Sequence, residues 1–135
     1  MSTYLSVSLI VGVIALAVAM MLSGAIGKAS AGNDRMKEIS GYIHEGAMAF
    51  LYREYKYLAA FILVVAIIIS MFLSVSTAVC FIGGALFSIC AGYLGMTVAT
   101  KANVRTAEAA RHGMSEALKI AFSGGAVMGL GVVGL

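Results

Sequence analysis

Proline is absent from this chain of 135 residues, aspartate occurs only at Asp34, and charged residues make up just 11% of the sequence. Soluble domains usually carry about 25% charged residues, so this chain has too few charges to cover a water-facing surface. Without proline, the 16 glycines do not serve Pro-Gly loops. These deficits exclude an ordinary soluble domain and indicate that much of the chain is solvated by lipid.

The sequence also lacks the side-chain combinations that chemistry requires. No nucleophile, acid and base combination and no carboxylate cluster is visible, so we assign no catalytic, cofactor-binding or metal-binding residue. His44 and His112 are isolated and are interpreted as surface or interfacial residues. Cys80 and Cys90 form no C-x-x-C motif and are interpreted as small buried hydrophobic residues. The G-x-G-x-x-G pattern at 129–134 follows a membrane helix rather than a strand, which argues against a dinucleotide fingerprint.

What the sequence has instead is three uncharged runs, at 1–27, 57–100 and 120–135. A bilayer core requires roughly 20 apolar residues per helix, so the second run suits two spans joined by a turn near 74–77. We therefore predict an all-α membrane protein, one membrane-embedded segment of a larger helical bundle. Its four transmembrane helices are expected at about 4–27, 34–74, 78–112 and 115–135.

The two ends of the chain bear on this interpretation. The first run has no preceding Lys or Arg and is too long for the apolar core of a signal peptide, so we expect a retained helix. The last run barely crosses a bilayer, and a chain ending at Leu135 would leave its carboxylate near lipid, which is costly. We expect the natural chain to continue beyond Leu135.

All nine basic residues lie in the segments 28–56 and 101–119. The positive-inside rule then predicts that both segments are cytoplasmic and that the N-terminus lies outside. The net charge of +3 therefore reflects membrane topology, and no separate basic patch indicates a nucleic-acid partner.

Both charged segments are predicted to be helical. After Gly32, either Asn33 or Asp34 is expected to cap the second helix, and Ser115 to cap the last one. Polar residues of the second segment recur at helical spacing, at Lys101, Arg105, Glu108, His112, Glu116 and Lys119. This stripe is either a charged wall facing a cytoplasmic substrate or a solvated face with pairs such as Glu108–His112. Spacing alone favours the solvated face.

Small residues recur four apart on all the apolar runs, which allows membrane helices to approach closely. The predicted ridges are Ala15/Ala19/Ser23/Gly27, Gly84/Ser88/Gly92, Ala91/Gly95/Ala99 and Ala121/Gly125/Gly129. So many faces imply more helical neighbours than this chain supplies.

Three segments resemble membrane-bound, ion-pumping inorganic pyrophosphatases. Residues 46–55 (GAMAFLYREY) are similar to the start of that family's second helix, residues 99–110 (ATKANVRTAEAA) to its segment after the third helix, and residues 121–129 (AFSGGAVMG) to its fourth helix. The matches agree in order and spacing over essentially the whole chain.

The resemblance implies a multi-pass protein of a prokaryotic cell membrane that works as a homodimer. Such pumps hydrolyse magnesium pyrophosphate in the cytoplasm and move H⁺ or Na⁺ outward. Mg²⁺ is the implied cofactor, with K⁺ as a candidate second one. The first four helices belong to an outer, supporting ring that packs on the remaining helices of the same chain. The Asp-rich catalytic motifs lie on later helices, so no catalytic or metal residue carries over, and this fragment alone is expected to be inactive.

Two other classes of protein stay open at the level of sequence. One is a small non-catalytic membrane subunit that oligomerises through its glycine-rich helix faces. The other is a secondary transporter unrelated to pyrophosphate, which would favour a charged or unwound segment at mid-membrane, a feature that this sequence lacks.

Overall fold

The computed structural model describes residues 2–135 as four helices with no strand among them. They are α1 (Ser2–Lys28), α2 (Asp34–Phe72), α3 (Val75–Ala110) and α4 (Met114–Gly134). All four are long and apolar enough to cross a membrane. The predicted all-α fold with four membrane-length helices is confirmed, and the helix bounds lie close to the expected positions.

Local side-chain chemistry sets the first two connections. Gly32 has φ +77° in the linker after α1, and the Asn33 side chain accepts a hydrogen bond from the Met36 backbone N–H at 2.9 Å. Asn33 is thus the cap of α2. Ser74 caps α3 in the same way, because its Oγ accepts from the Thr77 backbone N–H at 3.2 Å. The tight turn predicted near 74–77 is therefore a connection of two residues, Leu73 and Ser74.

The last connection differs from the expectation. Helix α3 ends at Ala110, and α4 begins at Met114 after Gly113, whose φ is +157°. No side chain caps α4, so the prediction that Ser115 is its cap is wrong. Ser115 lies inside the first turn because the cap position is occupied by Gly113, two residues earlier. Glu116 lies in that first turn, where a negative charge faces the positive end of the helix dipole.

The order in which the helices pack differs from their order along the chain. Helix α4 lies between α1 and α3, α2 packs only on α3, and α1 and α2 make no contact although five residues join them. Helix α1 runs antiparallel to α4, since Gly12 in the first half of α1 lies beside Gly134 at the end of α4. A small core joins α1, α3 and α4 at Ala19, Ile26, Val98, Ala102 and Val127.

Some of the predicted small-residue ridges lie at these contacts. Ala15 and Ala19 on α1 are buried, as are Ala91 and Gly95 on α3. On α4, however, a Cβ added at Gly125 or Gly129 would meet nothing within 4 Å. The buried residues of α4 are instead Ala117, Gly124, Val127 and Gly131.

Candidate functional site

Two of the three side-chain contacts that join helices, those of Arg105 and His44, lie at the end of the molecule that carries the charges. Among residues 2–135, no group of three or more His, Cys, Asp or Glu side chains is close enough to hold a metal ion. The candidate site is therefore a set of structural contacts around the α1–α2 linker and the last three turns of α3.

Arg105 is the centre of this set. Its Nε donates to the Ala29 carbonyl at 3.1 Å and its Nη2 donates to the Gly27 carbonyl at 3.4 Å. Its Nη1 donates to the Lys101 carbonyl on its own helix at 2.8 Å. The last carbonyls of a helix lack partners within that helix and carry partial negative charge. The guanidinium of Arg105 therefore caps the end of α1 from α3 and holds the start of the α1–α2 linker.

Glu108 lies one turn further along α3, and its side chain is only 14% exposed. Its carboxylate accepts from Arg111 Nη1 at 3.2 Å and lies 3.7 Å from His112 Nε2, which confirms the expected Glu108–His112 proximity. It also packs on the linker, where a Cβ added at Gly32 would lie 2.9 Å from Glu108 Oε2. Gly32 is thus required both by its positive φ and by this close approach.

His44 joins α2 to α3 through Thr100. The distance from His44 Nδ1 to Thr100 Oγ1 is 3.1 Å, and Thr100 is 5% exposed. Thr100 donates its only hydroxyl hydrogen to the Thr97 carbonyl at 3.1 Å, so it accepts from His44. The histidine side chain therefore has a helix-joining role that its isolated position in the sequence did not reveal.

Tyr55 makes a second bridge between the same helices. Its hydroxyl donates to the Ile89 carbonyl at 2.9 Å, and Gly92 leaves the space for it, because a Cβ there would lie 3.3 Å from the oxygen. Both bridges join residues far apart in sequence, so no local pattern could have identified either of them.

The polar stripe from Lys101 to Lys119 is divided between two helices, because α3 ends at Ala110 and α4 begins at Met114. Arg105 within the stripe caps α1 instead of facing solvent freely. The interpretation of Cys80 and Cys90 as buried residues needs correction, because both side chains are exposed in these four helices.

Comparison of the sequence with known proteins places the chain in a family. A family model described as inorganic H⁺ pyrophosphatase matches residues 13–135. The chain belongs to this family. The membership agrees with the resemblance noted in residues 46–55, 99–110 and 121–129, and it does not favour a small self-contained subunit or an unrelated transporter.

Three relatives of this chain show the range of the match. A putative K⁺-stimulated pyrophosphate-energized sodium pump of Clostridium tetani is 64% identical over 96% of this chain and 19% of the relative. A K⁺-insensitive pyrophosphate-energized proton pump of Methanosarcina mazei is 45% identical over 92% of this chain and 19% of its own length. A K⁺-stimulated sodium pump of Thermotoga maritima is 44% identical over 93% of this chain and 18% of its own length. The chain thus spans about one fifth of the length of each relative.

Proposed function

We propose that this chain forms the N-terminal, outer membrane helices of a primary pump that couples hydrolysis of magnesium pyrophosphate in the cytoplasm to outward transport of H⁺ or Na⁺. The observation that carries the proposal is the family match over residues 13–135, together with relatives named as pyrophosphate-energized pumps. In this proposal the full-length protein is the enzyme, and the present helices support it.

The distribution of acidic and polar side chains supports a structural role for these four helices. Within residues 2–135 the acidic groups do not converge on a metal site, whereas the polar contacts that do form join helix to helix. Substrate, Mg²⁺ and the transported ion would bind to residues outside the matched fifth of the protein. The relatives differ in their named response to K⁺, so K⁺ is a candidate activator to be tested rather than assigned.

We further propose that segments 28–56 and 101–119 lie in the cytoplasm and that the pump is a homodimer. The confinement of the nine basic residues to these segments supports the orientation. The homodimer follows from the family resemblance.

The direct test is the activity of the full-length protein in inverted membrane vesicles. Magnesium-dependent phosphate release from pyrophosphate, accompanied by uptake of H⁺ or Na⁺ into the vesicles, is the expected result. Measuring phosphate release and ion uptake in the presence and in the absence of Na⁺ and K⁺ identifies the transported ion and the activator. Absence of hydrolysis in membranes that contain folded protein would contradict the proposal.

A supporting role also predicts that acidic residues of this region are dispensable for chemistry. Asp34 forms an exposed pair with Lys37 at 3.2 Å, which contributes little to stability, and Glu116 lies in the first turn of α4. We expect Asp34→Asn and Glu116→Gln to leave kcat for pyrophosphate hydrolysis essentially unchanged. A large loss of kcat with an unchanged unfolding temperature would place one of them in the catalytic machinery.

A further inference from the structure

The contacts between α2 and α3 set the depth of the charged residues of α2. The two helices run antiparallel, because His44 contacts Thr100 and the Tyr55 hydroxyl donates to the Ile89 carbonyl. Eleven residues separate the two contacts on α2 and eleven separate them on α3, so the two helices keep one register between them. Lys56, the residue after Tyr55, therefore lies at the level of Ile89.

This level lies inside the hydrocarbon core of the bilayer. Helix α3 carries no charge from Val75 to Thr100, and a core of ~30 Å takes up about 20 residues of such a helix. Wherever the core lies within this uncharged run, its cytoplasmic edge falls between Gly95 and Thr100. Lys56 at the level of Ile89 is then roughly 9–17 Å inside that edge. The stem of a lysine spans only part of this distance, so snorkelling alone does not bring its charge to the membrane surface.

A polar stripe on α2 leads from the cytoplasmic end of the helix down to this depth. Its members recur at alternating intervals of four and three residues and are all exposed in these four helices: Glu38, Tyr42, Glu45, Ala49, Tyr52 and Lys56. Ala49 is the one member without a polar group, and its side chain is small. At 3.6 residues per turn, this stripe lies on the opposite side of α2 from the buried Leu51 and from Tyr55. It therefore faces away from α3, the one helix among residues 2–135 on which α2 packs.

The charges at the inner end of the stripe are suited to water and not to a dry surface. Arg53 and Lys56 are one helical turn apart, and neither makes an ion pair with any of residues 2–135. No acidic residue lies three or four positions from either cation, and Glu54 projects from a different side of the helix. Like charges one turn apart repel, and in lipid or a dry interface each would also lose its hydration. Water solvates both cations without requiring a partner for either.

We propose that the polar stripe from Glu38 to Lys56 lines a water-filled cleft that opens to the cytoplasm and reaches into the bilayer as far as Lys56. Small hydrophilic ions enter the cleft with the water, and anions are favoured at its inner end, where Arg53 and Lys56 outweigh Glu54. The cleft ends where the same side of α2 becomes apolar, towards Leu63. The proposal goes beyond pyrophosphate hydrolysis and rests only on the proposed orientation. It keeps these charges in contact with cytoplasmic water although they lie below the membrane surface.

The native lysines test the cleft without any substitution. Inverted membrane vesicles that contain the full-length protein are treated with sulfosuccinimidyl acetate, which does not cross membranes, and the acetylated lysines are located by mass spectrometry. Lys37 near the start of α2 is exposed and serves as the reference. Lys56 is expected to be acetylated at a rate within an order of magnitude of that of Lys37, because water and the reagent reach both. Protection of Lys56 while Lys37 reacts would overturn the proposal.

A pair of cysteine variants at equal depth tests the position of the cleft in the bilayer. Gly12 on α1 lies beside Gly134, and the end of α4 lies opposite Ser88 on α3, so Val13 is at about the same level as Lys56. Val13 is 67% exposed on an apolar part of α1. With all other cysteines replaced by alanine, Lys56→Cys in inverted vesicles is expected to react with sulfonatoethyl methanethiosulfonate at least an order of magnitude faster than Val13→Cys. The reason is that both the charged reagent and the reactive thiolate require water.

Equal rates for the two cysteine variants would contradict the proposal. If both react slowly, the outward side of α2 is dry, and if both react quickly, this level lies outside the hydrocarbon core. Reaction of Lys56→Cys only in right-side-out vesicles would reverse the orientation and place the opening on the outer side. Pyrophosphate hydrolysis by the same vesicles separates the two proposals. Accessible Lys56 without hydrolysis retains the cleft and removes the proposed function, whereas hydrolysis with a protected Lys56 retains the function and removes the cleft.

Discussion

At the scale of single residues, the linker between α1 and α2 depends on one glycine. Gly32 has φ +77°, and a Cβ there would lie 2.5 Å from Met36 Sδ and 2.9 Å from Glu108 Oε2. A left-handed conformation costs an L-residue roughly 1–2 kcal/mol before any steric clash. Gly32→Ala is therefore expected to destabilise the full-length protein by at least about 1–2 kcal/mol, measured as a lower unfolding midpoint in detergent.

The matched control is Gly46→Ala on α2, where a Cβ meets nothing within 4 Å. Alanine in a helix interior is favoured over glycine by roughly 0.5–1 kcal/mol, so this variant should be unchanged or slightly more stable. If Gly32→Ala and Gly46→Ala shift the unfolding midpoint equally, the positive φ and the close contacts of Gly32 do not contribute to stability.

Arg105 provides the second prediction at this scale. Arg105→Gln removes the charged donor from the Gly27 and Ala29 carbonyls. Hydrogen bonds from charged groups contribute about 1.5–3 kcal/mol when well formed, and partial exposure of this site places the expected loss near ~1–2 kcal/mol. Chemical unfolding of the full-length protein measures it.

The control for this substitution is Arg53→Gln, an exposed arginine on α2 that makes no ion pair with any of residues 2–135. Its effect should be within the scatter of surface substitutions, about ±0.5 kcal/mol. An Arg105 variant as stable as the Arg53 variant would show that the cap on α1 contributes nothing.

At the scale of helices, α4 packs on its neighbours through a face that the spacing of small residues in the sequence did not identify. Gly124 lies against α3, and a Cβ there would lie 3.0 Å from the Ala102 Cβ. Ala102 is 4% exposed and has no flexible side chain that can move away. Gly124→Leu is thus expected to lower the free energy of unfolding by about 1–3 kcal/mol through overpacking. The neutral reference in the thermal-unfolding assay is Gly24→Leu, because a Cβ at Gly24 would meet nothing within 4 Å.

Gly125 and Gly129 differ from Gly124 in this respect. A Cβ at either position would meet nothing within 4 Å in these four helices, so any penalty from leucine there depends on residues outside them. A full-length protein in which Gly124→Leu is as stable as wild type would contradict the α3–α4 contact itself.

Helix ends were more predictable than helix faces. Asn33 and Ser74 are caps because their short side chains reach the backbone N–H groups two or three residues ahead, a property of the local sequence. The partner of Arg105 lies 76 residues away at Ala29, and His44 and Thr100 are separated by 56 residues. No periodicity within one segment carries information about such distant pairs.

At the scale of the whole molecule, the proposed orientation makes a labelling prediction. Ser76 is exposed in the first turn of α3. Glu45 and His112 are exposed within the two charged segments. With Cys80 and Cys90 replaced by alanine, a membrane-impermeant maleimide applied to intact cells should label Ser76→Cys. It should label Glu45→Cys and His112→Cys only after the membrane is opened. The reverse pattern would invert the topology.

The sequence by itself determined that this chain is helical and membrane-embedded, with four spans, because burial in lipid leaves helices as the spanning structure for long uncharged runs. Its motifs also sufficed to indicate the pyrophosphatase family. Only the tertiary structure decided that α4 lies between α1 and α3, that α2 packs on α3 alone, and that Gly124 rather than Gly125 is buried. In lipid every face of such a helix is apolar, so hydrophobicity does not select a partner. The choice depends on steric fit and on a few polar contacts between distant residues, such as Arg105 with Ala29.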